Sequence, residues 1–452
     1  MTFYHITGKE EDGRLKPKSG VRISQCMIVK NESKNIEKAL SWGKKFMEEQ
    51  IVVDTGSTDG TPELAEKMGA KVLFYPWRDD FALAKNYAIE QAKGDWIVFM
   101  DADEYPAPGD EIKIPLLLEQ IQGRDFDGVS TGWQQIDDEG RIVASGTQVR
   151  IFRNLPDLRY RRRIHEQLVS TEGRPLRLGD AVADISIFHT GYQKAAIQEK
   201  GSNERNRKLI LAELKEHPED SEMLGYMGDE CFGVGEIQEA KDWYYKAIRG
   251  IHQELPENDQ RSAATFSKLL QLLVEEEALE EMEPVYRQAV KALPKEADFD
   301  YMVALYYYRK GRFQEACDSI EQALGKLNQY GNSNRGLYLS ADLSSAYQIL
   351  VGGFYETGQK EKCVNQAVSY LNYMPEDMAV LAYLLKALSQ PTLTEGGMEQ
   401  IVEFLGKLYD FSSLRSKLLV TKCARACGCE MLGCFMEKRL FTQEEQNALG
   451  IR

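Results

Sequence analysis

Apolar positions in the first 190 residues fall in short runs separated by Gly- and Asp-containing turns. Residues 21–29, 50–54, 71–75 and 95–100 read as strands, and 34–46, 61–68 and 80–92 carry helical spacing. Asp80 stands as N-cap ahead of an Ala-rich stripe. The run from Trp96 to Met100 is wholly apolar, as a parallel strand covered on both faces should be. Strands alternating with helices predict parallel βαβ units and an α/β domain. Residues 127–135, 148–153, 167–170 and 183–188 read as further strands without strong helices between them.

After about residue 195 strand signals stop and helical periodicity takes over. Gly228, Ala240, Tyr244 and Ala247 fit the spacing of a tetratricopeptide unit, and Ala304, Ala316, Ile320 and Ala323 repeat it, with Gly311 at the turn. Met282, Tyr286, Ala289 and Pro294 match a middle unit, and Val351, Phe354, Gly358, Cys363, Ala367 and Pro375 a looser fourth. Small residues let paired helices approach while an aromatic fills the groove between them; a plain helical bundle is the alternative. The expected organisation is a mobile tail at 1–20, an α/β domain at 21–195, a linker helix at 196–217, helical repeats at 218–390 and C-terminal helices at 391–452.

Composition narrows the class. The 56 Lys and Arg against 71 Asp and Glu give a net charge of −15, which argues against general nucleic-acid binding. No run approaches the length of a membrane span, no basic-then-apolar leader opens the chain, and the eight cysteines read as reduced thiols. A soluble cytoplasmic protein is expected. Residues 159–163, Arg-Tyr-Arg-Arg-Arg, are strongly basic against this acidic background and on charge alone read as a solvated edge. Cys423, Cys427 and Cys434, at helical spacing, read as one face of a helix and as core packing rather than a zinc site.

Two motifs carry chemistry. Asp101-Ala102-Asp103-Glu104 follows the apolar strand, where open α/β sheets bind ligands, and paired carboxylates there can hold a hard divalent cation against a diphosphate. Asp54 ends another buried strand ahead of Thr55-Gly56-Ser57-Thr58-Asp59-Gly60-Thr61. It can accept a hydrogen bond from a base, or the loop can be a capped βα turn. No dinucleotide-binding or P-loop glycine pattern occurs.

Cys26-Met27-Ile28-Val29-Lys30-Asn31-Glu32, the Asp54 loop and Asp101-Ala102-Asp103-Glu104 together resemble the inverting nucleotide-sugar glycosyltransferases of family 2, with the A-type (GT-A) fold. The segments 77–86, Arg163-Ile164-His165-Glu166-Gln167 and His189-Thr190-Gly191-Tyr192 resemble a bacterial branch with C-terminal tetratricopeptide repeats, similar to peptide S-glycosyltransferases. The resemblance implies a GT-A Rossmann-like domain followed by an all-α repeat domain. It implies a UDP-sugar donor bound by Met27, Val29, Glu32, Asp54, Ser57, Lys85, Asp101 and Ala102. It also implies Mn²⁺ or Mg²⁺ held by Asp103, Asp101 and His189, although His189 can equally be a hydrogen-bonding residue. Lys85 departs from the Arg usual in this motif and loses its bidentate geometry; Asn86 is expected to order the loop.

Inversion by single displacement needs one general base. Glu166 is the leading candidate, with Arg161, Arg162, Arg163 and His165 beside it to keep the carboxylate ionised; its alternative is an arginine-paired structural role. Glu104 is the second candidate base. The expected acceptor is a peptide or protein, through a Cys thiol or Ser/Thr hydroxyl, presented by the repeats. The alternatives are a surface glycan or lipid-linked acceptor, with repeats serving a homodimer, and a non-catalytic scaffold with a decayed transferase domain.

Overall fold

The computed structural model describes residues 20–190, 202–256, 259–331, 338–389 and 393–450. Residues 1–19 of the tail expected at 1–20, Gly191 and Tyr192 of the His-Thr-Gly-Tyr motif, and residues 196–201 of the linker lie outside them. The chain divides into two compact units, one ending at Gly235 and one beginning at Glu236.

The first unit opens with β1 (Ile23–Val29), α1 (Ile36–Ser41), β2 (Glu49–Asp54), α2 (Thr61–Lys67), β3 (Lys71–Phe74), α3 (Phe81–Glu90) and β4 (Trp96–Phe99). These four strands are parallel in the order β3-β2-β1-β4. The order reverses between β1 and β4, which opens a crevice at the strands' carboxyl ends. β4 is buried throughout because its two faces have different covers. Trp96 and Val98 pack with Ile114, Leu117 and Leu118, while Ile97 and Phe99 pack with Ala88 and Ile89 of α3.

The chain continues as β5 (Glu104–Pro106), α4 (Lys113–Gln120), β6 (Gly128–Ile136), β7 (Ile142–Arg153), β8 (Leu158–Arg161), β9 (Gln167–Ser170) and β10 (Leu178–His189). β7 joins β4 antiparallel and the sheet runs on through β6, β10 and β5. β5 and α4 are additions to the sequence reading. So is β8, which pairs with β9 as a separate hairpin. In β8 Leu158 and Tyr160 are buried and Arg161 is exposed, so the basic run is an alternating strand rather than a wholly solvated edge. Helices α5 (Ser202–Glu216) and α6 (Ser221–Gly233) complete this unit.

The second unit is helical among the described residues. It holds α7 (Ile237–Ile248), α8 (Gln260–Glu275), α9 (Leu279–Ala292), α10 (Asp298–Arg309), α11 (Phe313–Tyr330), α12 (Tyr338–Ala341) and α13 (Leu343–Glu356). It continues with α14 (Lys360–Leu371), α15 (Met378–Leu388), α16 (Glu395–Leu405), α17 (Leu414–Ala426), α18 (Glu430–Leu440) and α19 (Gln443–Leu449). The small residues of the repeat pattern lie at helix contacts: Ala304, Ala316, Ile320 and Ala323 are fully buried, as are Cys363 and Ala367. A Cβ at Gly353 would overlap Cys317 Sγ, so glycine there sets the approach of α13 to α11. One expectation is corrected. Cys434 does not share a helix face with Cys423 and Cys427, because α17 ends at Ala426 and Gly428 turns the chain at φ +84°. No described helix is long and apolar enough to cross a membrane.

Candidate active site

The loops after β1 and β2 are stitched together by short polar side chains. Asn31, at φ +57°, donates its N–H to Ser57 Oγ at 2.8 Å, and its Oδ1 accepts the Thr58 N–H at 2.8 Å. Thr61 Oγ1 accepts from Glu32 N–H and Asp59 from Ser33 N–H, at 2.8 and 2.9 Å. Asp54 is buried, and its carboxylate accepts the N–H groups of Gly56 and Ser57 at 3.0–3.1 Å. It therefore orders the loop whichever ligand that loop takes. Met27 and Val29 lie buried in the β1 core, and Glu32 accepts from Asn35 Nδ2 at 2.8 Å.

The Asp101–Glu104 turn is built on β4. Glu104 is fully enclosed and both its oxygens are engaged. Oε2 accepts the Asp101 N–H at 3.0 Å; Oε1 accepts Trp133 Nε1 at 3.0 Å and Arg150 at 2.5 Å. That arrangement orients the turn and leaves little for proton transfer. Asp101 faces two cations, Lys85 Nζ at 3.5 Å and Arg150 at 3.2 Å. Burial opposes ionisation of Asp101, but Lys85, Arg150 and His189 outweigh it and hold its carboxyl well below the usual range. Ala102 is buried beside Met27 and Val29. Asp103 is 8% exposed, with Oδ1 3.7 Å from His189 Nε2. His189 reaches it because β10 pairs with β5 so that His189 faces Glu104, and its ring lies 5.0 Å from that of Trp133. Asp103 and His189 thus offer an oxygen and a nitrogen donor side by side; the carboxylate suits either Mn²⁺ or Mg²⁺, and the imidazole favours Mn²⁺ over the strictly oxygen-seeking Mg²⁺. Asp101 has its two cations instead.

Glu166 approaches from the loop after β8. Its carboxylate, 15% exposed, pairs with the Lys85 ammonium, which is 3% exposed. Burial would lower the Lys85 pKa, but Asp101 and Glu166 raise it well above its usual value. Lys85 therefore links the candidate base to the Asp101 turn rather than standing free as a phosphate ligand. Its ammonium lies 5.2 Å from the ring centroids of both Phe99 and Tyr160. Asn86 fixes the strand behind: Nδ2 donates to Tyr160 C=O at 3.0 Å and Oδ1 accepts Tyr160 N–H at 2.9 Å.

Two of the arginines expected to flank Glu166, Arg162 and Arg163, point elsewhere, which is a second correction. Arg162 binds Asp220 at 3.0 Å and Glu222 at 2.5 Å, while Arg163 pairs with Glu213 and Glu216. His165 stacks on Tyr226 with centroids 3.5 Å apart. These contacts hold the loop on α5 and α6; charge compensation for Glu166 comes from Lys85. A cavity of about 850 Å³ lies along the hairpin, lined among others by Asp80, Arg161, Gln167, Glu213 and Glu219. None of Asp54, Asp101, Asp103 and His189 lines it. Arg150 and Tyr160 were not anticipated as site residues; the alternation of Leu158 and Tyr160 with Arg159 and Arg161 was a signal for the latter.

Residues 24–199 match the family described as Glycosyl transferase family 2. A TPR repeat-containing protein of Synechococcus elongatus is 30% identical over 67% of this chain and 75% of its own length. The SPbeta prophage-derived glycosyltransferase SunS of Bacillus subtilis is 28% identical over 53% of this chain; the chain spans about half of that relative, 55%. A solved glucosyl-3-phosphoglycerate synthase of Mycobacterium tuberculosis, in complex with Mn²⁺, UDP and glucosyl-3-phosphoglycerate, is 27% identical over 28% of this chain and 47% of its own. Its TM-score is 0.22, a likeness confined to a fragment of either chain.

Proposed function

The chain belongs to glycosyl transferase family 2, and from that premise we propose that it transfers a sugar from a UDP-sugar to a peptide or protein acceptor, with inversion and with a divalent metal bound. The observation that carries the reading is the chain of charges Glu166–Lys85–Asp101, centred on the buried Lys85 ammonium, which ties a carboxylate outside the main sheet to the turn at its carboxyl edge.

Glu166 takes the proton of the acceptor hydroxyl or thiol as that atom attacks the anomeric carbon. The bond from that carbon to the diphosphate oxygen breaks, and its electron pair leaves with UDP. One displacement on the face opposite the leaving group inverts the centre. Asp103 and His189 would hold Mn²⁺ or Mg²⁺, which supplies charge compensation to the departing diphosphate. Asp54 shapes the loop that receives the nucleotide. Glu104 and Arg150 fix the backbone of the Asp101 turn, and Lys85 keeps the Glu166 carboxylate aligned. A thiol acceptor needs less help from a base than a hydroxyl, since its free pKa is about 8.5. The helical unit, shared in kind with a relative named for its TPR repeats, supports a peptide or protein acceptor.

The test is UDP release from a panel of UDP-sugars with Mn²⁺, with and without candidate peptides. Glu166→Gln should lower transfer about 100-fold or more while UDP binding is retained, and Asp103→Ala should remove the metal dependence. Full turnover by Glu166→Gln would refute the base assignment. Equal loss of binding and turnover would make Glu166 structural.

A further inference from the structure

Outside the candidate active site, the turn between α17 and α18 brings the thiols of Cys427 and Cys429 together, with the buried Cys423 thiol also in contact with Cys427. Cys427 caps the end of α17 and Cys429 the start of α18. Gly428 between them takes φ +84°, a conformation that L side chains rarely adopt, with nothing within 4 Å of the place of its missing Cβ. Glycine is required there by backbone conformation and not by space. The result is a Cys427 Sγ to Cys429 Sγ distance of 3.6 Å. Both residues are half-buried, whereas Cys26, Cys231, Cys317, Cys363 and Cys423 are buried.

We propose that Cys427 and Cys429 are a modification site, a dithiol that reacts with small electrophilic disulfides to close a Cys427–Cys429 disulfide. A disulfide needs its sulfurs about 2.05 Å apart and its Cα atoms within about 7 Å. Residues two apart at a tight left-handed turn meet the second condition, and side-chain torsion closes the first. The chemistry balances with a low-molecular-weight disulfide as oxidant. One thiol, as thiolate, attacks a sulfur of oxidised glutathione and expels one glutathione thiolate. The second thiolate then attacks the mixed disulfide and expels the other. Two protein thiols lose two protons and two electrons; one disulfide is reduced to two thiols. The second step is intramolecular and outruns reduction of the adduct by free glutathione. Cys434, also half-buried, sits on the next helix and is the internal comparison.

The experiment treats the full chain with oxidised glutathione at about pH 8.5, where more thiol is ionised. Acid quench, alkylation under denaturing conditions and tryptic mass spectrometry follow. Cleavage after Arg425 separates Cys423 from the peptide of residues 426–438, which carries Cys427, Cys429 and Cys434. Fragmentation should show Cys427 and Cys429 joined, with two hydrogens lost and no glutathione retained on either. Cys427→Ser and Cys429→Ser should each leave a persistent glutathione adduct on the remaining thiol. Gly428→Ala should slow closure about five- to tenfold, the cost of a left-handed alanine. A lasting adduct on Cys427 or Cys429 in the parent protein, a bond to Cys423 or Cys434 instead, or thiols that stay free would each overturn the proposal.

Discussion

Lys85→Met is the sharpest probe of the charged chain at the site. Methionine keeps the unbranched stem between Phe99 and Tyr160 and removes only the ammonium. Two carboxylates then lose a cation: Glu166, whose side chain is 15% exposed, and Asp101, whose side chain is 37% exposed. Breaking a buried pair by deleting one partner costs about 3–5 kcal/mol. Asp101 keeps Arg150 at 3.2 Å and reaches solvent, which places the loss near the lower end. About 3 kcal/mol lowers Tm by roughly 6–12 °C in a unit of this size. Four of the five tryptophans, Trp42, Trp77, Trp96 and Trp133, belong to the first unit, so intrinsic fluorescence follows its melting.

The pH dependence has a definite sign. The carboxyl of Asp101 is depressed in the folded protein, so its contribution is present above the unfolded value of 3.8 and is lost as pH falls through the folded one. Lys85 is raised, so its contribution is present below 10.5 and is lost as pH rises through its folded value. The Tm gap between parent and Lys85→Met should therefore be full from about pH 5 to 9 and narrow toward pH 3. Adding Glu166→Gln to Lys85→Met should recover part of the gap, because one uncompensated carboxylate is gone. No gap at pH 7, or an equal gap at pH 3, would refute the claim that Lys85 compensates these acids.

Two further substitutions test the strand behind the site. Asn86→Ala removes both side-chain bonds to Tyr160 and leaves a strand N–H and C=O without them, costing about 1–3 kcal/mol. Hydrogen exchange should show β8 opening earlier, and unchanged protection at Tyr160 and Arg161 would contradict this. Tyr160 is 6% exposed, and its hydroxyl has no hydrogen-bond partner among the described residues. Tyr160→Phe should consequently be neutral or stabilising by up to about 1 kcal/mol in urea unfolding; a clear destabilisation would show that the hydroxyl is in use.

The parallel half of the sheet was legible because its strands are short, largely apolar runs, two of which, β2 and β4, lead directly into a candidate carboxylate. That pattern alone places Asp54 and Asp101 at strand ends. Arg150 was not legible. It lies 49 residues from Asp101 and reaches it only through the antiparallel register that sets Val98 against Ile151. Nothing local in Thr147-Gln148-Val149-Arg150 announces a buried guanidinium. The run at 159–163 misled in a different way. Its charges suggested a free cationic edge, yet Arg162 and Arg163 are neutralised by acids 50–60 residues later in the chain. Charge density in sequence says nothing of where the counter-ions fold.

The placement of those acids also changes what the site consists of. The family match ends at residue 199, but the loop that carries Glu166 depends on residues beyond it. Arg162 and His165 adopt φ +77° and +51°, left-handed conformations unfavourable for such side chains. A loop with two such residues persists only where its surroundings over-determine it. Here Asp220 and Glu222 hold Arg162, Glu213 and Glu216 hold Arg163, and Tyr226 stacks on His165. All five come from α5 and α6 or the turn between them, within the same compact unit as the sheet. The two helices are thus less a connector to the repeats than a brace. Without them the left-handed residues lose the contacts that offset their strain, and Glu166 loses its fixed approach to Lys85.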